Sequence, residues 1–363
     1  MTTALHAARV PGRLRQRLVP RVGPHLMAAA LDAAMTVEQL RAHFQTAVEL
    51  EHSTLPPYLC ALYTMDAERN AFAYQAIQGV VMEEMLHMIQ AANILTAIGG
   101  SPELYSPKFI PEYPTYLPHS DDAFLVPLQK FSPETIREVF LKIEMPKAKA
   151  APPQPNRYHT IGQFYMALRD ALIRLGPKIF TGNPNWQVTP NDYYGGGGGL
   201  LAVYGLDHAL QGIDEIIGQG EGIDGTIEDT DHPMFGQGIE YAHYFRFNEV
   251  LEERQYRAGD HPDKPPTGAP VTVDWNAIDM RPNPKLKDYP VGSPLWRMTL
   301  DCNKTYMRLL HTIQVACTGA PQQLRQAIPV MYDLKYKIQA LMNVPLDDGS
   351  GQHAGPSFEY VAI

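Results

Sequence analysis

Residues 77–98, IQGVVMEEMLHMIQAANILTAI, limit the possible folds more than any other stretch of the chain. Ile77, Val80, Val81, Glu84, His87, Met88, Ala91, Leu95 and Ile98 recur at the three-and-four spacing that stacks side chains on one face of a helix. The spacing predicts a helix whose apolar face carries a carboxylate and an imidazole. Burying either group alone costs several kcal/mol or forces a neutralising proton shift, so both are expected to share a charged partner. A divalent metal ion is the simplest such partner, and its other ligands must come from elsewhere in the chain.

Upstream, Thr36 and Gln39 have the spacing of a capping box, and Leu40, Phe44, Val48, Leu55, Leu59 and Leu62 mark an apolar stripe. Glu51 falls on that stripe, whereas Glu49 lies about 200° away around the helix at ~100° per residue. Glu51 is therefore expected inside and Glu49 in solvent. Pro56 and Pro57 should kink this helix or split it in two, which would free backbone carbonyls near a buried site.

The proline-rich residues 99–131 read as a long excursion of the kind that covers a site. Ser132 and Pro133 then open a short helix that ends at Pro146, and residues 147–156 follow as a linker-like loop. A third long helix is predicted over 159–176, with Ile161, Phe164, Tyr165, Leu168, Leu172 and Leu175 inward and Gly176 and Pro177 as its stop. The glycine run 195–199 lacks the Lys and Ser or Thr of a phosphate loop and reads as a flexible turn. Residues 206–222 form a further helix. Residues 235–254 read as the fourth long helix, with Glu240 and His243 three apart on the face of Phe247 and Val250. After a proline-rich connection come two more helices; His311, alone on the first of them, is set aside as a core or surface histidine.

Two Glu-x-x-His helices, with a core-facing Glu on a separate helix, match the constellation by which ferritin-like four-helix bundles hold two metal ions. The expected ligands are Glu51, Glu84, His87, Glu240 and His243. On the third helix Gln163 takes the place of a carboxylate, as a weak neutral donor or as a hydrogen-bonding residue behind the ligands, with His159, Asp170 or water as alternatives. The expected architecture is all-α: a basic arm over 1–35, a ferritin-like bundle over 36–256, and C-terminal helices over 257–363 packed on it.

Composition removes other classes. With 30 basic and 39 acidic residues the net charge is −9, which argues against nucleic acid as a partner. No apolar stretch reaches the ~18–20 residues needed to span a bilayer. The first 31 residues hold five Arg and no acid, and read as a disordered arm or a start codon placed too far upstream rather than as a transit peptide. Cys60, Cys302 and Cys317 are too widely spaced for a disulfide framework or a thiolate site, and fit a reducing cytoplasm.

ELEHSTLPPYLCALY, VMEEMLHM, YHTIGQFY, GQGEG, HYFRF and the closing GPSFEY together resemble the ferritin-like domain of the iminophenyl-pyruvate dimer synthase (VioB/RebD-like) family, from about residue 36 to the C-terminus. The resemblance implies a metal-bearing bundle that handles oxidised amino-acid-derived substrates in bacterial secondary metabolism, and it implies a Glu where this chain has Gln163. The expected activity is a non-haem metal-dependent oxidase or oxygenase with a small-molecule substrate. It would use one or two iron ions, with manganese or zinc as substitutes. Tyr58, Tyr165, Tyr241 and Tyr244 fall within a turn or two of the ligands and could line its pocket. The competing expectation is a metal-binding or storage bundle with no organic substrate, assembled as a homo-oligomer.

Overall fold

The structure is a computed structural model; it describes residues 36–122, 124–146, 158–193, 199–221, 226–228 and 241–363. The expected basic arm, the 147–156 linker, most of the glycine run and Glu240 lie outside these residues. Helices carry the described fold, and its β-pairing consists of isolated bridges.

Helices α1 (Val37–Thr64) and α2 (Ala71–Ala97) form a long hairpin. The Thr36–Gln39 capping box opens α1 as its sequence predicts. Pro56 and Pro57 do not split α1, which runs through them as one helix. A proline at 57 deprives Ser53 O of its usual intrahelical donor, and the Tyr113 hydroxyl donates to that carbonyl instead at 2.8 Å. The proline-rich excursion thus repairs the helix it covers. Helix α2 is buried on nearly every side from Glu83 to Ile98, so it is the central rod of the molecule rather than a one-faced helix.

Pro133–Thr135, Ile136–Phe140 and Leu141–Ile143 join into one short helix, α3, whose middle five residues make a π-helical turn. Ser132 caps it by accepting from Thr135 N at 3.0 Å. Helix α4 (Ile161–Leu175) ends at Gly176, where φ is +71°, a conformation glycine adopts without steric cost. It packs against α5 (Leu206–Glu221) as a second hairpin.

Helix α6 spans His243–Leu251, shorter than the 235–254 helix expected. Ala242 has ψ 157°, and Tyr241 bridges to Glu228 with Ala242 N donating to Ile227 O at 3.2 Å. Tyr241 and Ala242 are therefore not part of the helix.

Helices α7 (Pro294–Cys317) and α8 (Ala327–Met342) pair with each other and close over α1 and α2. One continuous hydrophobic core includes Phe44, Leu86, Leu172, Leu310 and Leu341. Among the described residues no helix is long and apolar enough to cross a membrane.

Candidate metal centre

The α1–α2 hairpin brings Glu51 from one helix against Glu84 and His87 from the next. His87 Nδ1 lies 3.8 Å from Glu51 Oε2 and 3.7 Å from Glu84 Oε1. On the other side of Glu84 stand two residues delivered by helix ends: Glu144, just past the last turn of α3, and His243, the first residue of α6. His243 Nδ1 lies 3.0 Å from Glu84 Oε1 and 3.4 Å from Glu144 Oε2. The result is two buried triads, Glu51–Glu84–His87 and Glu84–Glu144–His243, each with donor atoms mutually within 4.8 Å and with Glu84 common to both. None of the five residues is more than 4 % exposed.

Each donor is oriented by a partner on its far side. His87 Nε2 donates to Gln219 Oε1 on α5 at 2.5 Å, and His243 Nε2 donates to Glu83 Oε2 at 2.8 Å. Both imidazoles therefore turn Nδ1 toward the carboxylates, where it would offer a lone pair once a cation takes the place of its proton. The Tyr165 hydroxyl donates to Glu51, the Tyr58 hydroxyl donates to Glu144, and Thr54 Oγ1 lies 2.8 Å from Glu84 Oε2. The second hairpin, α4 and α5, thus supplies Tyr165 and Gln219, which hold donors from behind.

The electrostatics call for a cation. Burial, with Glu84 close by, pushes the Glu51 carboxyl well above the usual carboxylate range. Burial and Glu84 raise Glu144 as well. Burial also acts against charge on Glu84, but the proximity of His243 and His87 outweighs it and holds that carboxyl low. Burial would lower His243, yet the surrounding carboxylates, Glu144 foremost, raise it well above an ordinary histidine. His243 Nδ1 is buried within 3.4 Å of two carboxylate oxygens, without a well-aligned hydrogen bond among the described residues. Three carboxylates and two imidazole nitrogens, oxygen and nitrogen donors without thiolate, are a donor set that suits iron, manganese or zinc. The residues fit a divalent metal centre.

Gln163 is engaged at the α4 N-terminus. It is the third residue of α4, where its Oε1 accepts from Thr160 N and its own N–H donates to Thr160 Oγ1, both at 3.3 Å. His159 is exposed and bonded to Asp121 Oδ2 at 2.5 Å, and half-buried Asp170 belongs to neither triad. A further carboxylate beside Glu84 and His243 is Glu144, at the end of α3. Glu144 lies four residues after Phe140 and eight after Ile136, a helical repeat that could have revealed it. Glu83, about 100° from Glu84 around α2, lies off the stripe that singled out Glu84 and His87. It is in fact buried and paired with Arg246, whose Nη1 and Nη2 donate to its two oxygens at 2.7 and 2.8 Å. Burial opposes charge on Glu83, but Arg246 and His243 win and hold its carboxyl at about 2.

A small pocket, with a cavity volume of about 20 Å³, reaches the cluster and touches Glu51, Glu84, His87 and Glu144. Its other walls are mostly apolar, with Ile143, Ile161, Ile216 and Ile217 among them.

Comparison with family models matches the Ferritin-like family over residues 44–252. Two curated proteins are similar at 26 % identity. One is the 2-imino-3-(indol-3-yl)propanoate dimerase of Chromobacterium violaceum, over 68 % of this chain and 25 % of that protein. The other is the dichlorochromopyrrolate synthase of Lentzea aerocolonigenes, over 78 % of this chain and 29 % of that protein. The chain therefore spans between a quarter and a third of the length of these relatives. In fold it is similar to a ferritin-like protein from Caulobacter vibrioides, with a TM-score of 0.58 at 24 % identity over 84 % of this chain and 95 % of that one.

Proposed function

The chain belongs to the ferritin-like family, and on that premise we propose that it is a non-haem metal-dependent oxidase or oxygenase, with iron as its metal, acting on an amino-acid-derived small molecule of bacterial secondary metabolism. The observation that carries the proposal is the pair of buried triads sharing Glu84, reached by a pocket with apolar walls. Glu51, Glu84 and His87 would hold one ion and Glu84, Glu144 and His243 a second. Glu240, outside the described residues, has no part in this assignment.

When bound, ferrous ions at carboxylate and imidazole ligands supply electrons to dioxygen. The chain's own residues prepare the site for that chemistry. Tyr58 and Tyr165, whose phenols burial keeps protonated, orient Glu144 and Glu51 by donating to them. Gln219 and Glu83 fix the histidine tautomers. The isoleucine walls limit water around the cluster and would face the apolar part of a substrate that opened the pocket further. The curated relatives, by their names, act on an indole-bearing imino acid and make a chlorinated pyrrole-bearing product, which supports an aromatic imino or amino acid as the substrate class. Three free, buried cysteines favour a cytoplasmic setting.

Anaerobic reconstitution with ferrous iron, followed by metal analysis and by dioxygen uptake with aromatic imino acids, tests the proposal. Two irons per chain and a new organic product by mass spectrometry are expected. Iron taken up far beyond two per chain, with no organic product, would establish the storage alternative instead.

A further inference from the structure

The two histidines face the carboxylates in the same way, but what holds them from behind differs. His243 donates to a carboxylate, Glu83, at 2.8 Å. That carboxylate is clamped by both terminal nitrogens of Arg246, and Arg246 Nε donates in turn to Tyr241 O. His87 donates to a neutral amide oxygen, Gln219 Oε1. A carboxylate acceptor draws the imidazole proton more strongly than an amide does, which leaves the opposite nitrogen a better metal donor. Arg246 offsets part of the negative charge on Glu83, but its planar two-pronged grip also fixes the carboxylate that His243 meets.

The donor spacings differ in the same sense. Two donors bonded at ~2.1 Å to one ion, at ~90–110°, lie about 3.0–3.4 Å apart. His243 Nδ1 already stands 3.0 and 3.4 Å from its two carboxylate oxygens, whereas His87 Nδ1 stands 3.8 and 3.7 Å from its own. Around an ion His87 has to move closer to its carboxylates, whereas His243 does not.

We propose that the triads are unequal: a divalent cation binds first and more tightly at Glu84, Glu144 and His243, and Glu83 is the positioning residue that sets the difference through His243. The inference rests on the two-ion reading of this cluster. Anaerobic titration of the metal-free full chain with cobalt(II), followed by absorbance and calorimetry, tests it without reference to activity. Wild type should bind in two steps whose Kd values differ at least about tenfold. His87→Ala should keep the tighter step, and His243→Ala should lose it. Glu83→Gln should weaken the tighter step about 10–100-fold and leave the weaker one in place. Because Glu83→Gln strands Arg246 and can unfold the chain, the two histidine variants decide the order of binding independently. Two steps of equal Kd, or a tighter step that survives in His243→Ala, overturn the inequality. A folded Glu83→Gln with a wild-type titration overturns the role of Glu83. No bound cobalt at all overturns the two-ion reading, and this inference with it.

Discussion

Glu84 is the one side chain that both triads need. Replacing it with Ala should take iron from two ions per chain to nearly none, whereas His87→Ala or His243→Ala should remove only one; metal analysis of the purified variants distinguishes these outcomes. A Glu84→Ala protein with a full complement of iron would contradict the assignment. Glu249 on α6 is informative in another way. It is buried, and burial raises its carboxyl to about 7, against smaller lowering effects from the Tyr256 N–H and Arg246. A carboxyl whose pKa is raised by folding stabilises the fold while protonated. Its contribution is full below the unfolded value near 4.5 and is lost as pH rises through 7. Glu249→Gln, which keeps an oxygen to accept from Tyr256 N, should therefore reduce the fall in stability between pH 5 and 8. Urea midpoints across that range would show the flatter profile.

At the scale of helices, ends and repairs matter most. Gln163 closes the α4 capping box, and its removal should destabilise the protein without touching the metal. Gln163→Ala is expected to cost roughly 0.5–2 kcal/mol, and Gln163→Glu, equally able to close the box, to cost little; iron content should stay constant in both. A change in iron content would return Gln163 to the ligand set. Tyr113→Phe should leave Ser53 O on α1 without its donor, costing about 1–3 kcal/mol by chemical denaturation. The interiors of α1, α2 and α4 were legible in the sequence, including the inward turn of Glu51, Glu84 and His87, because a 3.6-residue repeat is a local property. The start of α6 was not. Tyr241 and Ala242 take extended backbone to pair with residues 227 and 228, a contact that no local pattern announces.

For the whole molecule, the shared core joins the α1–α2 hairpin, the α4–α5 hairpin and the C-terminal pair α7–α8. Calorimetry of the full chain should accordingly show one cooperative transition. Metal should shift it upward, by roughly 2.7 kcal/mol per site when free metal is 100 times Kd. Two resolved transitions would mean that 257–363 folds as a separate body. A chelator that leaves the transition where it was would mean that the acidic cluster binds no ion.

Sequence by itself determined that this is a helical protein with acids and histidines facing its core. A carboxylate at a stripe position must be buried wherever the helix packs, and a chain with such groups needs charge compensation. It could not determine which acids meet. Glu144 and His243 are 99 residues apart and reach Glu84 only because the end of α3 and the start of α6 are packed against α2. Gln163 had the right character for either a ligand or a cap, and the position of the α4 N-terminus made it a cap. Periodicity is written along the chain, whereas convergence of side chains from four segments on one point is a property of packing, and only the tertiary structure decided it.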